Sequence, residues 1–520
     1  MKRGMKITLN YRTIAVALWG ISLSGLGQTT NQTLGVFINS AESFNGYTLF
    51  APVSSETTYL IDNCGAEINR WESTYKAGMM AYLLEDGGIM RSGKTDSKIF
   101  LGGGKGGVIE KFSWSGELLW TFTLANDSLH LHHDIEILPN GNVLAIAWKL
   151  NSAEQALSKG RDPNKTGVNV WSTLLIEIEP TYPQGGQIVW SWDAWDHLVQ
   201  DFDPSLPSYG NPKDFPGKID VNYEADGGTA YAARDWLHTN SIDYNPVSNQ
   251  IMISVRGFSE LWIIDRESTG DIQYRWGNPN AYGRGTEADQ TLFQQHNCHW
   301  IEPGLPGAGD VLIYNNGTNR PEGYYSSIEQ VKLPLLIDGE FPIGEDTPYG
   351  PDSPEWTYPE TLDIDFFSQN ISGAQRFPNG NTLICEGASG HLFEINEIGE
   401  VVWEYINPVS VWGILEQGSD AFANSVFQVL RYAPNYAAFT GRDLTPGGEI
   451  EINPLPSMCE IHHTPTCPGD FNHDYMITVQ DLIIALSEFG CTNCSSDIDG
   501  DQSFGISDLL ILLSAFGTSC

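Results

Sequence analysis

HHDIEILPNGNVLAIAWK (His132–Lys149), HTNSIDYNPVSNQIMISVRG (His238–Gly257) and HNCHWIEPGLPGAGDVLIYNNG (His296–Gly317) decide the fold. Each stretch opens on histidine, runs on as a short apolar segment, turns at Gly, Pro or Asn, and returns as a second apolar segment. That is the pattern of a β-hairpin. His133, His238 and His296 stand at the same place in the repeated unit. If the units pack around one axis, equivalent positions converge and three imidazoles meet in one pocket. Core packing alone does not call for three histidines in register.

A second motif follows the hairpins: an apolar pair, a polar residue, a Gly turn and an apolar run ending in Trp or Tyr. It reads YLIDNCGAEINRW (Tyr59–Trp71), VIEKFSWSGELLW (Val108–Trp120), LLIEIEPTYPQGGQIVW (Leu174–Trp190) and LWIIDRESTGDIQYRW (Leu261–Trp276). A fifth copy is split between SIEQVKL at Ser327 and PEWTY at Trp356, and the sixth is LFEINEIGEVVWEY (Leu392–Tyr405). Six recurring units of about four short strands each predict an all-β, six-bladed β-propeller, with a β-sandwich or a seven-bladed ring as the alternatives. Trp and Tyr at the unit ends supply apolar area between blades.

Around this repeat, the 520 residues leave room for a small second domain. Lys2, Arg3, Lys6 and Arg12 precede the apolar run TIAVALWGISLSGLG, which reads as a signal peptide over residues 1–27. The apolar run is too short for a membrane anchor, and no later segment is apolar for long enough to cross a bilayer. The expected location is therefore periplasmic, secreted or at the cell surface. Residues 28–460 hold the repeat. Asp201–Asp235 and Leu335–Pro354 read as inserted loops, the first a candidate lid, and Asn424–Tyr432 reads as a late strand that closes the ring. The net charge of −38 argues against nucleic acid and anionic lipid as partners.

Residues 467–520 are duplicated at an offset of 27. Asp470, Asn472, Asp474 and Asp481 match Asp497, Asp499, Asp501 and Asp508, and each set leads into an apolar helix, DLIIALSEFG or DLLILLSAFG. Oxygen ligands at loop positions 1, 3, 5 and 12 are the layout of an EF-hand-type calcium site. Position 6, usually Gly, is Tyr475 in one loop and Gln502 in the other, a departure that strains the loop. Of the tail cysteines, the pairs Cys467–Cys520 and Cys491–Cys494 are favoured. Cys298, beside the histidines, reads as a buried thiol or a disulfide half rather than a nucleophile. This tail resembles a dockerin, which implies Ca²⁺ in the module and a cohesin-like or cell-surface partner.

HHDIEILPNGN, DWLHTNSIDY followed by ISVRG, QHNCHW followed by YNNG, and SGAQRFPNGNTLICEG occur in that order. Together they resemble the bacterial arylsulfotransferases that use no adenylyl donor, over roughly residues 45–450. The resemblance implies a six-bladed propeller that moves a sulfuryl group from a phenolic sulfate donor to a phenolic acceptor through a sulfohistidine. The nucleophile of the family's motif falls on His296, its other histidines on His133 and His238, and its arginine on Arg256. No catalytic cofactor is implied.

The residue chemistry agrees. A neutral imidazole can attack sulfur and split one transfer into two easier halves. A guanidinium fork suits a tetrahedral anion. A second histidine, His238 or His133, can protonate the leaving phenolate and later deprotonate the acceptor. Asn316 and Lys149 end strands equivalent to the one that Arg256 ends, and are candidate substrate-binding residues; Glu386 ends another. Asp134 is expected to be a turn or ladder residue. His130, His132 and His299 lack equivalents in other units and are left as structural, and His391 is expected to be exposed. Competing readings are a His₃ zinc site, a quinoprotein, and a non-catalytic propeller that recruits a ligand or partner.

Overall fold

The structure is a computed structural model that describes residues 32–165, 169–224, 234–267, 270–360, 365–462, 469–471, 477–491, 496–499 and 503–517. The signal-peptide segment lies outside the described residues, as do Asn472, Asp474, Asp501, Cys467, Cys494 and Cys520. No helix among the described residues is long and apolar enough to cross a membrane.

Six antiparallel sheets form a six-bladed β-propeller. The innermost strands are Ala77–Leu83, Leu129–Ile137, Thr239–Asn245, His296–Trp300, Gly373–Arg376 and, for the first blade, the late strand Val426–Tyr432. Val426–Tyr432 pairs antiparallel with Tyr47–Pro52, so the ring closes as the sequence pattern predicts. A second closure was not foreseen: Gly35–Asn39 adds a fifth strand to the outer edge of the last blade. The two ends of the repeat thus cross the same seam. Arg431 reinforces it from the late strand by reaching Glu394 of the last blade at 2.5 Å and the carbonyl of Phe44, all within the core. A Cys64–Cys459 disulfide ties the first blade to the segment beyond the late strand, with a sequence separation of 395.

The aromatic unit ends do what their periodicity predicts. Trp71, Trp120, Trp192, Trp276 and Trp403 are buried on the fourth strands of their blades, and each indole N–H donates to a carbonyl in the next blade: Ser113, Gly185, Gly270, Pro351 and Asn63. The bond from Trp403 to Asn63 spans the seam between the last blade and the first. Each indole fills an inter-blade gap and satisfies its one polar atom there, a contribution of about 1 kcal/mol per bond beyond the apolar burial. In the third blade this residue is Trp192, two positions past the Trp190 that ends the sequence motif. Trp190 instead lies under the Arg266 guanidinium.

The polar insertion after the third blade is not a free lid where it is described. Leu198, Ile219, Val221 and Trp236 bury into the core between the third and fourth blades, and Leu198–Val199 pairs parallel with Ile219–Asp220. The Leu335–Pro354 loop packs Phe341 and Tyr349 against Tyr274 of the fourth blade. Near the C-terminus, helices Val479–Ser487 and Ile506–Ser514 share a small core of Ile477, Ala485, Phe504 and Leu512.

Candidate functional site

His133, His238 and His296 do converge, but not from equivalent positions. His133 sits in a bulge in the middle of its long strand, His238 immediately precedes its strand, and His296 is the first residue of its own. Local backbone distortion brings them together. His133 and His238 hold φ of 56° and 45°, and Gln294 and Asn297, flanking His296, hold 58° and 52°. Left-handed non-glycine residues cost about 1 kcal/mol or more each and persist where the surroundings fix them. The rings of His133 and His238 meet edge to face at 4.8 Å, and Phe427 lies 6.0 Å from His133 and 6.3 Å from His296.

The bonds that Asn316 and Ile371 make to His296 agree on one tautomer, and the Gln294 main chain also meets the ring. Asn316 donates from Nδ2 to the carbonyls of Ser368 and Ile371, which fixes its amide orientation. Its Oδ1 must then accept, at 2.7 Å, from Nδ1–H of His296. The neutral ring therefore carries its lone pair on Nε2, where the Ile371 N–H donates to it at 3.2 Å. Burial and the nearby Arg256 charge hold His296 well below the usual imidazole range, so it is neutral at pH 7. Ile371 and Ser372 both have positive φ, 50° and 91°, on a segment knotted by Ser368 and Ser372 hydroxyl bonds. Attack by Nε2 on sulfur requires the Ile371 amide to move off the lone pair. Asn316, expected to bind substrate, also orients the ring.

His238 directs Nδ1 at Asp235 Oδ2, 2.6 Å away, and is the most exposed of the three histidines, its side chain 11% accessible. His133 is wholly enclosed. Its Nδ1 meets Nδ1 of His132 at 2.7 Å, so one ring donates and the other accepts. Burial first, then the charges of His238, His132, His296 and Arg256, hold His133 well below the usual range. His132, read as structural, stacks flat on Trp148 at 4.1 Å and forms part of the site's wall. The glycine run Gly102–Gly107 also belongs here. Gly104, at φ +76°, approaches so closely that a Cβ would lie 2.0 Å from Nε2 of His133.

Arg256 donates to Oε1 of Gln294, and its charge acts on both His133 and His296. Lys149, expected to bind substrate, pairs through its ammonium with Asp193 on the outermost strand of its blade. Asp134 behaves as a ladder residue, accepting from Tyr82 and from the amides of Ile135 and Ile242. Cys298 is a free, fully buried thiol pushed up to about 12 by burial, which makes it a poor nucleophile. His391 is not exposed as expected. It is clamped between Glu386 at 2.9 Å and Glu404 at 3.0 Å, whose carboxylates raise it to about 9 against its burial.

At the other end of the inner strands lies a cavity of 800 Å³ whose lining includes Asp134, Glu136, Asp243, Glu302 and Trp300 but none of the three histidines. Met79, Met80 and Phe427 form an apolar cluster of their own and contact the histidine end through Phe427. Burial raises Asp134 to about 7 and Asp243 to about 6.

Among the described residues, one group brings three ligand atoms within 4.8 Å of one another: Asp497, Asp499 and Asp508. The three histidines are not drawn together this closely. Asp508 accepts from the amides of Ile498, Asp499 and Gly505, and Asp481 from those of Phe471 and Thr478, so each closing carboxylate folds its loop back onto the helix start. Three carboxylates this close fit a hard, oxygen-liganded cation. Cys491 is disulfide-bonded, while the expected partner Cys494 and the pair Cys467–Cys520 lie outside the described residues.

The profile of the arylsulfotransferase (ASST) family matches residues 36–342, more than half of the chain. The chain belongs to the arylsulfotransferase family. Arylsulfate sulfotransferase AssT of Escherichia coli O6:H1 is 22% identical over 330 residues, covering 55% of this chain and 50% of that protein. The chain thus spans about half the length of the curated relative it matches. Among solved structures, a Bacteroides caccae protein of unknown function aligns at TM-score 0.41 and 10% identity, covering 75% of this chain and 99% of that one. A streptogramin B lyase aligns at TM-score 0.36 and 12% identity, covering 77% and 97%. Within this arylsulfotransferase-family chain, the family match includes His133, His238, Arg256, His296 and Asn316 and ends before the Ile371 segment that caps His296.

Two site residues escape a reading by repeat equivalence. Asp235 lies at the end of a segment that reads as loop, and its i, i+3 spacing to His238 is the one local signal. Ile371 contributes a main-chain N–H, which no side-chain pattern can reveal.

Proposed function

We propose that this protein transfers a sulfuryl group from an aryl sulfate ester to a phenolic acceptor in two half-reactions, with His296 as nucleophile. The observation that carries the proposal is the fixed tautomer of His296: neutral, Nδ1–H held by Asn316, lone pair on Nε2, with Arg256 nearby. Nε2 forms the N–S bond as the S–O(aryl) bond breaks and the phenolate departs. In the second half the acceptor oxygen attacks sulfur, the N–S bond breaks, and the electron pair returns to Nε2. Arg256 supplies positive charge for the sulfuryl oxygens. Removing one such group costs about 10²-fold or more in kcat. The direct test is steady-state transfer from an aryl sulfate to a phenol. His296→Ala is expected to abolish turnover, and full retention of phenol-dependent turnover would refute the assignment.

The C-terminal carboxylates support a second, independent role: Asp497, Asp499 and Asp508, with Asp470 and Asp481 in the first copy, would hold Ca²⁺ and so fix the helix pair, which a dockerin-like module could offer to a cohesin-like or cell-surface partner. The bound ion would supply charge that lets these carboxylates approach one another. Chelation is expected to make this segment protease-sensitive while the propeller stays intact; unchanged resistance in chelator would count against it. Export through the residue 1–27 segment, to the periplasm or beyond, fits the same reading.

A further inference from the structure

Asp235 does two things with one carboxylate. Oδ2 faces Nδ1 of His238 at 2.6 Å, and Oδ1 accepts from the Trp148 indole N–H at 2.8 Å. The Trp148 face stacks on His132 at 4.1 Å with 6° between planes. His132 meets His133 through the paired Nδ1 atoms, and His133 meets His238 at 4.8 Å. The five side chains close a loop in which one buried carboxylate holds both histidines, directly on one side and through two stacked rings on the other.

The two histidines are not equal in what they can do. His133 has its Nδ1 occupied by His132 and its Nε2 edge covered by Gly104, and it touches His132 and His238, whose charges oppose its own protonation. His238 has an acceptor carboxylate on Nδ1, leaving Nε2 for substrate, and its side chain reaches solvent, where a leaving phenol can depart. An imidazolium is stabilised by a carboxylate at hydrogen-bond distance and opposed by like charges. A buried carboxylate on Nδ1 also fixes ring orientation and tautomer, the function that the third member of a catalytic triad performs.

We infer that His238 is the acid and base of the transfer and that Asp235 is its positioning residue. The inference rests on the sulfuryl-transfer reading above and deepens it. As S–O(aryl) breaks, the aryl oxygen takes the proton from Nε2 of the His238 imidazolium. In the second half the acceptor hydroxyl returns a proton to Nε2 as its oxygen attacks sulfur. His133 remains neutral throughout and serves as wall and orienting contact.

The test is the dependence of the first half-reaction on the leaving group. A strongly acidic phenol departs without help, whereas unsubstituted phenol needs a proton, so loss of the acid is felt in proportion to leaving-group basicity. D235N is expected to slow phenyl sulfate about 10²-fold or more and a nitrophenyl sulfate less than about 10-fold. H238A is expected to give the same steepened dependence, and H133A a loss that is equal across donors. W148F, which leaves the carboxylate in place and removes the indole N–H together with part of the ring that stacks on His132, is expected to give a smaller change in the same direction; it provides the readout if D235N melts below the assay temperature. An equal loss across donors in D235N, H238A and W148F would overturn the inference while leaving the transfer reading standing. A wild-type protein that turns over none of these donors would overturn both.

Discussion

Asn316 decides which nitrogen of His296 can react. With both Nδ2 hydrogens spent on the carbonyls of Ser368 and Ile371, its Oδ1 can only accept, and the 2.7 Å contact to Nδ1 places the ring proton there. The same amide therefore sets the nucleophile's tautomer and holds the Ile371 segment against it.

Asn316→Ala removes that control. The ring is then free to carry its proton on Nε2, and a buried donor loses its partner. We expect kcat to fall about 10²-fold with a much smaller change in KM, because the lost interaction concerns the reacting nitrogen rather than substrate affinity. Steady-state transfer kinetics decide it; a change confined to KM would return Asn316 to the substrate-binding role.

Gly104→Ala tests the wall behind His133. A Cβ 2.0 Å from Nε2, at a backbone φ of +76°, cannot be accommodated without moving the ring. Both strain and overpacking act, so a loss of about 2 kcal/mol of stability is expected. Displacement of His133 is expected to lower transfer by about 10-fold or more. Melting and kinetics on the same sample check both, and wild-type values in each would contradict the packing.

His391 supplies a pH-dependent share of stability. Its folded value is raised to about 9 from 6.5 by Glu386 and Glu404. The folded state binds the proton more tightly, so the contribution is complete below pH 6.5 and is lost as pH rises through about 9. His391→Gln is expected to cost about 1–2 kcal/mol near pH 6 and almost nothing near pH 10. Denaturant unfolding at the two pH values measures it, and an equal loss at both would exclude the ionic origin.

Much of the ring was legible because its signals are local. Hairpin turns, two-residue alternation and aromatic unit ends repeat around the ring, and even the late closing strand could be read at Asn424–Tyr432, where Val426–Tyr432 forms it. The outer closure by Gly35–Asn39 was not legible, since a lone five-residue strand carries no period. Trp192 rather than Trp190 fills the gap: it pairs opposite Leu175 as Trp276 pairs opposite Leu261, a matter of pairing position that the sequence motif does not show. At the site, the histidines were found by repetition, but their partners come from elsewhere: Asp235 from an insertion, Asn316 from a strand end that suggested substrate contact, and Ile371 from the main chain. The ion pair of Lys149 was hidden for a similar reason. Position at a strand end says nothing about an acidic neighbour such as Asp193 on a strand two places across the sheet.

The central claim is a covalent bond between sulfur and Nε2 of His296. The most direct measurement is the intact mass of the protein after incubation with an aryl sulfate and no acceptor, followed by peptide mapping under non-acidic conditions. The account requires one added sulfuryl group, carried by His296 and discharged by a phenol. Turnover with an unmodified protein, or a sulfuryl group on any other residue, would contradict it.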